Sequence, residues 1–146
     1  MVSNKILNKT IIINAQTSKV WNALINPEQL KKYMFGCDVI TDWEIGSPIL
    51  FKGNWNGTDF IDKGTLLDFQ SEKTYQYNYW SNFSGLPDTP ENYSIIKFEI
   101  ERQNENTLLK LTQSNFATPT MYEHSDKNWE ETLGKLKDMI ENNGNE

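Results

Sequence analysis

The stretch 128–140, NWEETLGKLKDMI, combines a polar composition with regularly spaced large apolar residues. Charged residues fill most of the positions between the apolar ones, which lie within about 60° of one another on a helical wheel. The spacing therefore predicts a long C-terminal helix with one apolar stripe, beginning near Asp126 or one turn earlier at Thr118–Pro119. The stripe consists of four residues separated by four, three and four positions: Trp129, Leu133, Leu136 and Ile140.

The region from Asp38 to Phe116 has the signals of β-strands joined by turns. Glycine and proline clusters at 46–48, 53–57 and 85–90 are the strongest breaks between the apolar segments. Apolar and polar residues alternate clearly in SIIKFEIER, which places Ile96, Phe98 and Ile100 on one side of the strand. The same two-residue period in TYQYNYW places three tyrosines on one side of the preceding predicted strand. Because the links are short, we expect roughly six neighbouring strands to be antiparallel.

The N-terminal part predicts one further strand and two short helices. KILNKTIIINA is rich in β-branched residues, and SKVWNALI follows it with Thr17 or Ser18 as a candidate helix cap. Asn26 and Pro27 then have the cap and first-turn positions of a second helix. One helix stripe cannot cover both faces of such a sheet, so a sheet curled around the last helix is the economical arrangement. We therefore expect a single α+β domain over residues 1–146.

Composition excludes several classes of function. The chain has 146 residues and a net charge of −6, which argues against a nucleic-acid partner. Its single cysteine, Cys37, rules out an internal disulfide, and no apolar run is long enough to span a membrane. The first residues lack the apolar core of a signal peptide, so a cytoplasmic protein is the expectation.

The order of these segments resembles the SRPBCC superfamily, also called START-like or helix-grip proteins. The opening TIIINAQTSKVWNALINPEQLKKYM is most similar to the bacterial branch related to the activator of the ninety-kilodalton heat-shock-protein ATPase. KGTLLDF, YQYNYW, TLLKLTQSNF and NWEETLGKLKDMI match later segments in the same order. Two positions depart from the family pattern: Asn128 replaces a glycine, and Tyr33 stands where a tryptophan is common.

The resemblance implies a helix-grip fold, in which a curved antiparallel sheet of about six to seven strands wraps around the long C-terminal helix. Two short helices follow the first strand in this fold. The superfamily includes proteins that bind lipids, sterols or plant hormones, polyketide cyclases, and activators of a chaperone ATPase. Because one fold serves these different functions, membership alone does not assign one.

Aromatic residues are the main candidates for a binding site. The helix-grip arrangement would bring several of them around one pocket between sheet and helix, where tyrosine hydroxyls would orient a mostly apolar ligand. Ordinary core packing is the alternative for each of them. We expect no cofactor, and with one histidine and one cysteine we expect no metal site. The candidate cavity residues are Trp55, Tyr77, Tyr79, Trp80, Phe116, Met121, His124 and Trp129.

Other polar residues are weaker candidates. His124, the only histidine, is either a polar group near the pocket mouth or, as we favour, a surface residue. Cys37 is expected to be a buried, inert thiol. Asp62 and Asp68 would have a raised pKa if they pointed inward, but exposure at strand ends is the commoner arrangement. Gly134 lies on the polar face of the last helix, where either contact with a second chain or simple tolerance would explain it.

Three functions are compatible with this sequence. We favour binding of a small, largely hydrophobic molecule between the sheet and the C-terminal helix. The second is a chaperone ATPase-activating interaction protein, as the resemblance implies. A cyclase- or hydrolase-type enzyme is third, because no paired acid and base can be identified from the sequence. The protein is expected to be a monomer or a homodimer.

Overall fold

A computed structural model describes residues 5–34, 36–55, 57–81 and 85–143 of the chain. It contains seven strands and three α-helices over these residues, together with one turn of 3-10 helix at 90–92. In chain order the elements are β1 (Leu7–Ile13), α1 (Thr17–Ile25), α2 (Pro27–Tyr33), β2 (Asp38–Ile40), β3 (Pro48–Trp55), β4 (Thr58–Gln70), β5 (Thr74–Tyr79), β6 (Ser94–Gln103), β7 (Asn106–Ser114) and α3 (Pro119–Asn143).

The strands form one curved antiparallel sheet in the order β1-β7-β6-β5-β4-β3-β2. Strands β2 to β7 follow one another as neighbours, as their short links predicted, and β1 pairs with β7. The helices α1 and α2 therefore carry the chain from one edge strand to the other. This arrangement confirms the expected helix-grip fold.

The apolar stripe of α3 is buried as its spacing predicted. The helix begins at Pro119, where the Thr118 hydroxyl oxygen accepts a hydrogen bond from the Met121 amide at 3.2 Å. The start near Asp126 was therefore too late, and the earlier, capped start is correct. Near the other end of the helix, the Lys137 ammonium group donates to the Ile12 carbonyl at 2.6 Å and ties α3 to the edge strand β1.

Buried tyrosines join the two short helices to each other and to the sheet. The hydroxyl of Tyr33 donates to the Ala23 carbonyl at 2.7 Å, and that of Tyr75 donates to the Leu24 carbonyl at 3.1 Å. Asn26 caps α2 as expected, through a 3.0 Å hydrogen bond from the Glu28 amide. The predicted Thr17 or Ser18 cap of α1 is wrong, because the helix starts one residue earlier and no side chain caps it.

Replacing Gly134 by alanine is expected to stabilise the protein by about 1 kcal/mol, because glycine is the poorer residue in a helix interior. A methyl group at this position would meet no atom within 4 Å. Urea denaturation of Gly134→Ala and wild type would measure the difference. A loss of stability would instead indicate that glycine permits another chain to approach this face of α3.

Candidate functional site: a cavity between the sheet and the last helix

A cavity of about 740 Å³ lies between the curved sheet and α3. Its wall is formed by the strands β3 to β7, by the segment around Met34 and Cys37, and by the first half of α3. Most of the wall surface is apolar, although about half of the side chains that line it are polar. The lining residues are Met34, Cys37, Phe51, Phe60, Asp62, Tyr77, Tyr79, Ser81, Ile96, Gln113, His124, Ser125, Asn128, Trp129 and Thr132.

The most unusual group in this wall is the carboxylate of Asp62. The residue is only 6% exposed, and its Oδ2 accepts a hydrogen bond from the Tyr79 hydroxyl. Burial raises the pKa of Tyr79 well above its usual value, and the negative charge of Asp62 raises it further. Tyr79 is therefore a neutral hydrogen-bond donor at physiological pH, and the pair places a carboxylate and a hydroxyl together in the cavity wall.

A second polar group joins the sheet to α3. The Trp129 indole Nε1 donates to Gln113 Oε1 at 2.7 Å, and Gln113 Nε2 donates to the Ser94 hydroxyl at 3.0 Å. All three residues are buried, and the Trp129 ring also packs edge-on against Phe98 at 5.6 Å between centroids. This chain of hydrogen bonds fixes the position of α3 over the cavity.

Tyr77 also lies in the cavity wall and is only 2% exposed. Burial raises the pKa of this phenol above its ordinary value. The ring packs against Phe51 at 5.6 Å and stacks on Tyr75 at 5.9 Å between centroids. Tyr77 therefore contributes an aromatic ring with a neutral hydroxyl to the cavity wall.

The structure brings four of the candidate aromatic and polar residues to this cavity. Tyr77 and Tyr79 lie in its wall, and Trp129 lies between α3 and the sheet. His124 is exposed at the rim and belongs to α3 itself rather than to the segment before the helix. Trp55 lies on β3, but its side chain is outside the described part of the chain.

Three other candidates do not line the cavity. The Trp80 ring stacks on Tyr93 at 6.5 Å between centroids, because its neighbour Tyr79 already points inward and successive strand residues face opposite sides. Phe116 packs edge-on against Tyr122 at 5.3 Å between centroids, in the connection to α3. Met121 is half-buried against the core in the first turn of that helix.

Asp62 is the lining residue that sequence reasoning placed wrongly. It shares its side of the strand with Phe60 and Leu66, yet exposure was favoured because exposed carboxylates are the commoner arrangement at strand ends, and the structure buries it instead. Asp68 has the same parity, but a shift of register between Leu66 and Asp68 lets Phe69 pack into the core instead. The alternation of inward and outward side chains along β4 therefore continues through Asp62 and is interrupted before Asp68.

Cys37 is a free, buried thiol at the edge of this site, as expected. Burial raises its pKa to about 11, with smaller contributions from the charges of Asp62 and Asp38. The thiol is therefore protonated at neutral pH and is a poor nucleophile. Among the described residues, no group of histidine, cysteine and carboxylate side chains could hold a metal ion. No helix in the described ranges is long and apolar enough to cross a membrane.

Comparison with known proteins places the chain in a family. No protein of curated function matches it. The solution structure of ChR145 from Cytophaga hutchinsonii is 39% identical, with a TM-score of 0.84, and the match covers 100% of this chain and 99% of that one. The solution structure of the Aha1 dimer from Colwellia psychrerythraea is 25% identical, with a TM-score of 0.72 and coverage of 93% and 96%.

A more distant structure has the same fold. PFC0360w, described as an HSP90 activator from Plasmodium falciparum, is 15% identical with a TM-score of 0.73, over 92% of this chain and 95% of that one. The model of one family, Activator of Hsp90 ATPase homolog 1-like protein, matches residues 14–141. With nearly the whole domain matched, the chain belongs to the Activator of Hsp90 ATPase homolog 1-like family.

Proposed function

We propose that this protein binds a small, largely hydrophobic molecule in the cavity between the sheet and α3. The observation that supports this function is the cavity itself, which at about 740 Å³ lies within the usual range for small-molecule sites. A domain built only for stability fills such a space with side chains, because interiors are close-packed.

The chemistry of the wall also favours a ligand. Phe51, Ile96 and Trp129 offer apolar surface, whereas Asp62 and Tyr79 offer polar contacts at one place in the wall. An apolar wall with a few polar groups is the usual composition of a site that orients a ligand. The exposed rim at His124 and Asn128 provides the way in.

Native mass spectrometry of freshly purified protein tests this function first, followed by a screen of apolar compounds monitored by tryptophan fluorescence. We expect saturable binding, because Trp129 lies in the cavity wall and reports on its contents. Thr132→Phe fills the cavity from α3 and should weaken binding at least tenfold, an estimate that corresponds to about 1.4 kcal/mol.

Ser125→Trp is a second cavity-filling variant, to be used if Thr132→Phe does not fold. Ile61→Phe is the matched control, since Ile61 is 50% exposed on the opposite side of β4. This control should bind like wild type. The absence of any retained molecule, and of any saturable response across the screen, would contradict the function.

Activation of a chaperone ATPase is the second candidate, supported by the family match over residues 14–141. It would use the outer surface rather than the cavity. We therefore expect Thr132→Phe to leave any stimulation of an Hsp90 ATPase unchanged. A steady-state ATPase assay tests this role, and an unchanged rate at saturating protein would rule it out.

A further inference from the structure

We propose that the cavity selects ligands that carry a protonated amine on an apolar body, in preference to ligands of the same shape that carry a carboxylate. This inference rests on the proposed binding function and specifies the chemistry of the ligand. Its physical basis is the combination of one buried carboxylate with several aromatic rings in the same wall.

The carboxylate of Asp62 is the first part of the argument. It lies inside the cavity wall, where the surrounding medium screens charge less than water does. A protonated amine near it would gain a charge-assisted hydrogen bond, which is stronger than a neutral one. An anionic ligand at the same place would be repelled, and neither lysine nor arginine is present among the described residues of the lining to attract it.

The aromatic rings are the second part. Phe51 lies 5.6 Å from Tyr77 and 5.5 Å from Tyr79 between ring centroids, and Tyr79 is hydrogen-bonded to Asp62. The three rings form one cluster in the cavity wall, and the ring of Tyr79 connects this cluster to the carboxylate. Aromatic faces attract ammonium groups, and this attraction strengthens when the site excludes water. The same rings also pack against the apolar body of a ligand.

The rim does not reverse this preference. Ser125 and Asn128 are neutral, and His124 is exposed to solvent. The chain as a whole carries a net charge of −6, which favours the approach of a cation over that of an anion. Charge at both short and long range thus points to the same class of ligand.

Three compounds of equal chain length test the inference: octylamine, octan-1-ol and octanoate. Isothermal titration calorimetry at pH 7.5 would measure their affinities for the full chain. We expect octylamine to bind about tenfold more tightly than octan-1-ol, and octanoate to bind least tightly. Equal affinities, or tighter binding of octanoate, would overturn the inference while leaving the proposed binding function intact.

The Asp62→Asn variant tests the carboxylate alone, because it removes the charge and keeps the size of the side chain. It should remove the preference for octylamine over octan-1-ol and change octan-1-ol binding by less than about threefold. Asp59→Asn, an exposed residue of the same strand, is the control for net charge and should keep the preference. A preference that survives in Asp62→Asn would overturn the role of this carboxylate.

A third possible outcome is that none of the three compounds binds. It would overturn the inference, and it would contradict the proposed function for simple apolar chains. If Asp62→Asn does not fold, the ranking of the three compounds on wild-type protein still decides the matter, because attraction by the carboxylate predicts that octanoate ranks last.

Discussion

Gly64→Ala is expected to destabilise the protein by about 3 kcal/mol or more, among the largest effects of any conservative substitution in the sheet. Gly64 lies on β4, and a methyl group there would overlap the carbonyl oxygen of Asn78 in β5. Because the obstacle is backbone, relief requires the two strands to separate. That movement would strain the 2.6 Å hydrogen bond from the Thr65 amide to Asn78 Oδ1 and the 2.8 Å bond from the Trp80 amide to the Lys63 carbonyl.

Gly53→Ala is the matched comparison, because a methyl group there would meet the end of the Phe60 side chain at 2.7 Å. A side chain can rotate away, so we expect a smaller loss than at Gly64. Urea denaturation of both variants would measure the two free energies of unfolding. A Gly64→Ala variant as stable as wild type would contradict the close approach of β4 to β5.

Trp129→Phe is expected to cost about 2–4 kcal/mol. The substitution removes the indole N–H that donates to Gln113, and a buried acceptor left without its donor costs about 1–3 kcal/mol. The smaller ring also loses part of its contact with Phe98. Thermal and urea unfolding would give the change, and a loss below about 1 kcal/mol would indicate that water in the cavity replaces the indole.

Gln113→Leu completes a double-mutant cycle with Trp129→Phe. Each single variant leaves one polar partner behind, whereas the double variant removes both sides of their hydrogen bond. We therefore expect the double variant to lose less stability than the sum of the singles, by about 0.5–3 kcal/mol. Strict additivity would show that the two side chains do not interact in solution.

Helices and strands whose apolar residues recur at a regular spacing could be predicted from the sequence. The stripe that includes Leu133 and Leu136 is buried in α3, and the alternation of Ile96, Phe98 and Ile100 in β6 marks the inner face of the sheet. The start of α3 was less well predicted, because TMYEHS before Asp126 has little apolar character and only its cap at Thr118 indicates a helix.

The candidate site could be predicted only in part. The alternation of Tyr75, Tyr77 and Tyr79 placed all three on one face, and two of them line the cavity. Trp80 was a cavity candidate, although it directly follows Tyr79 and therefore faces the other side of the strand. Gln113 was missed because a glutamine near the end of an apolar strand gives no local sign of its buried hydrogen bonds.

By itself, the sequence determined the type and order of most helices and strands and which of their faces are apolar, since these properties depend on neighbours a few positions apart. It also determined the order of the segments, which carries the resemblance to the helix-grip family. Only the tertiary structure decided that Asp62 is buried beside Tyr79 and that a cavity remains beneath Trp129. Both depend on the curvature of the sheet and on the position of α3 across it, which bring distant segments together.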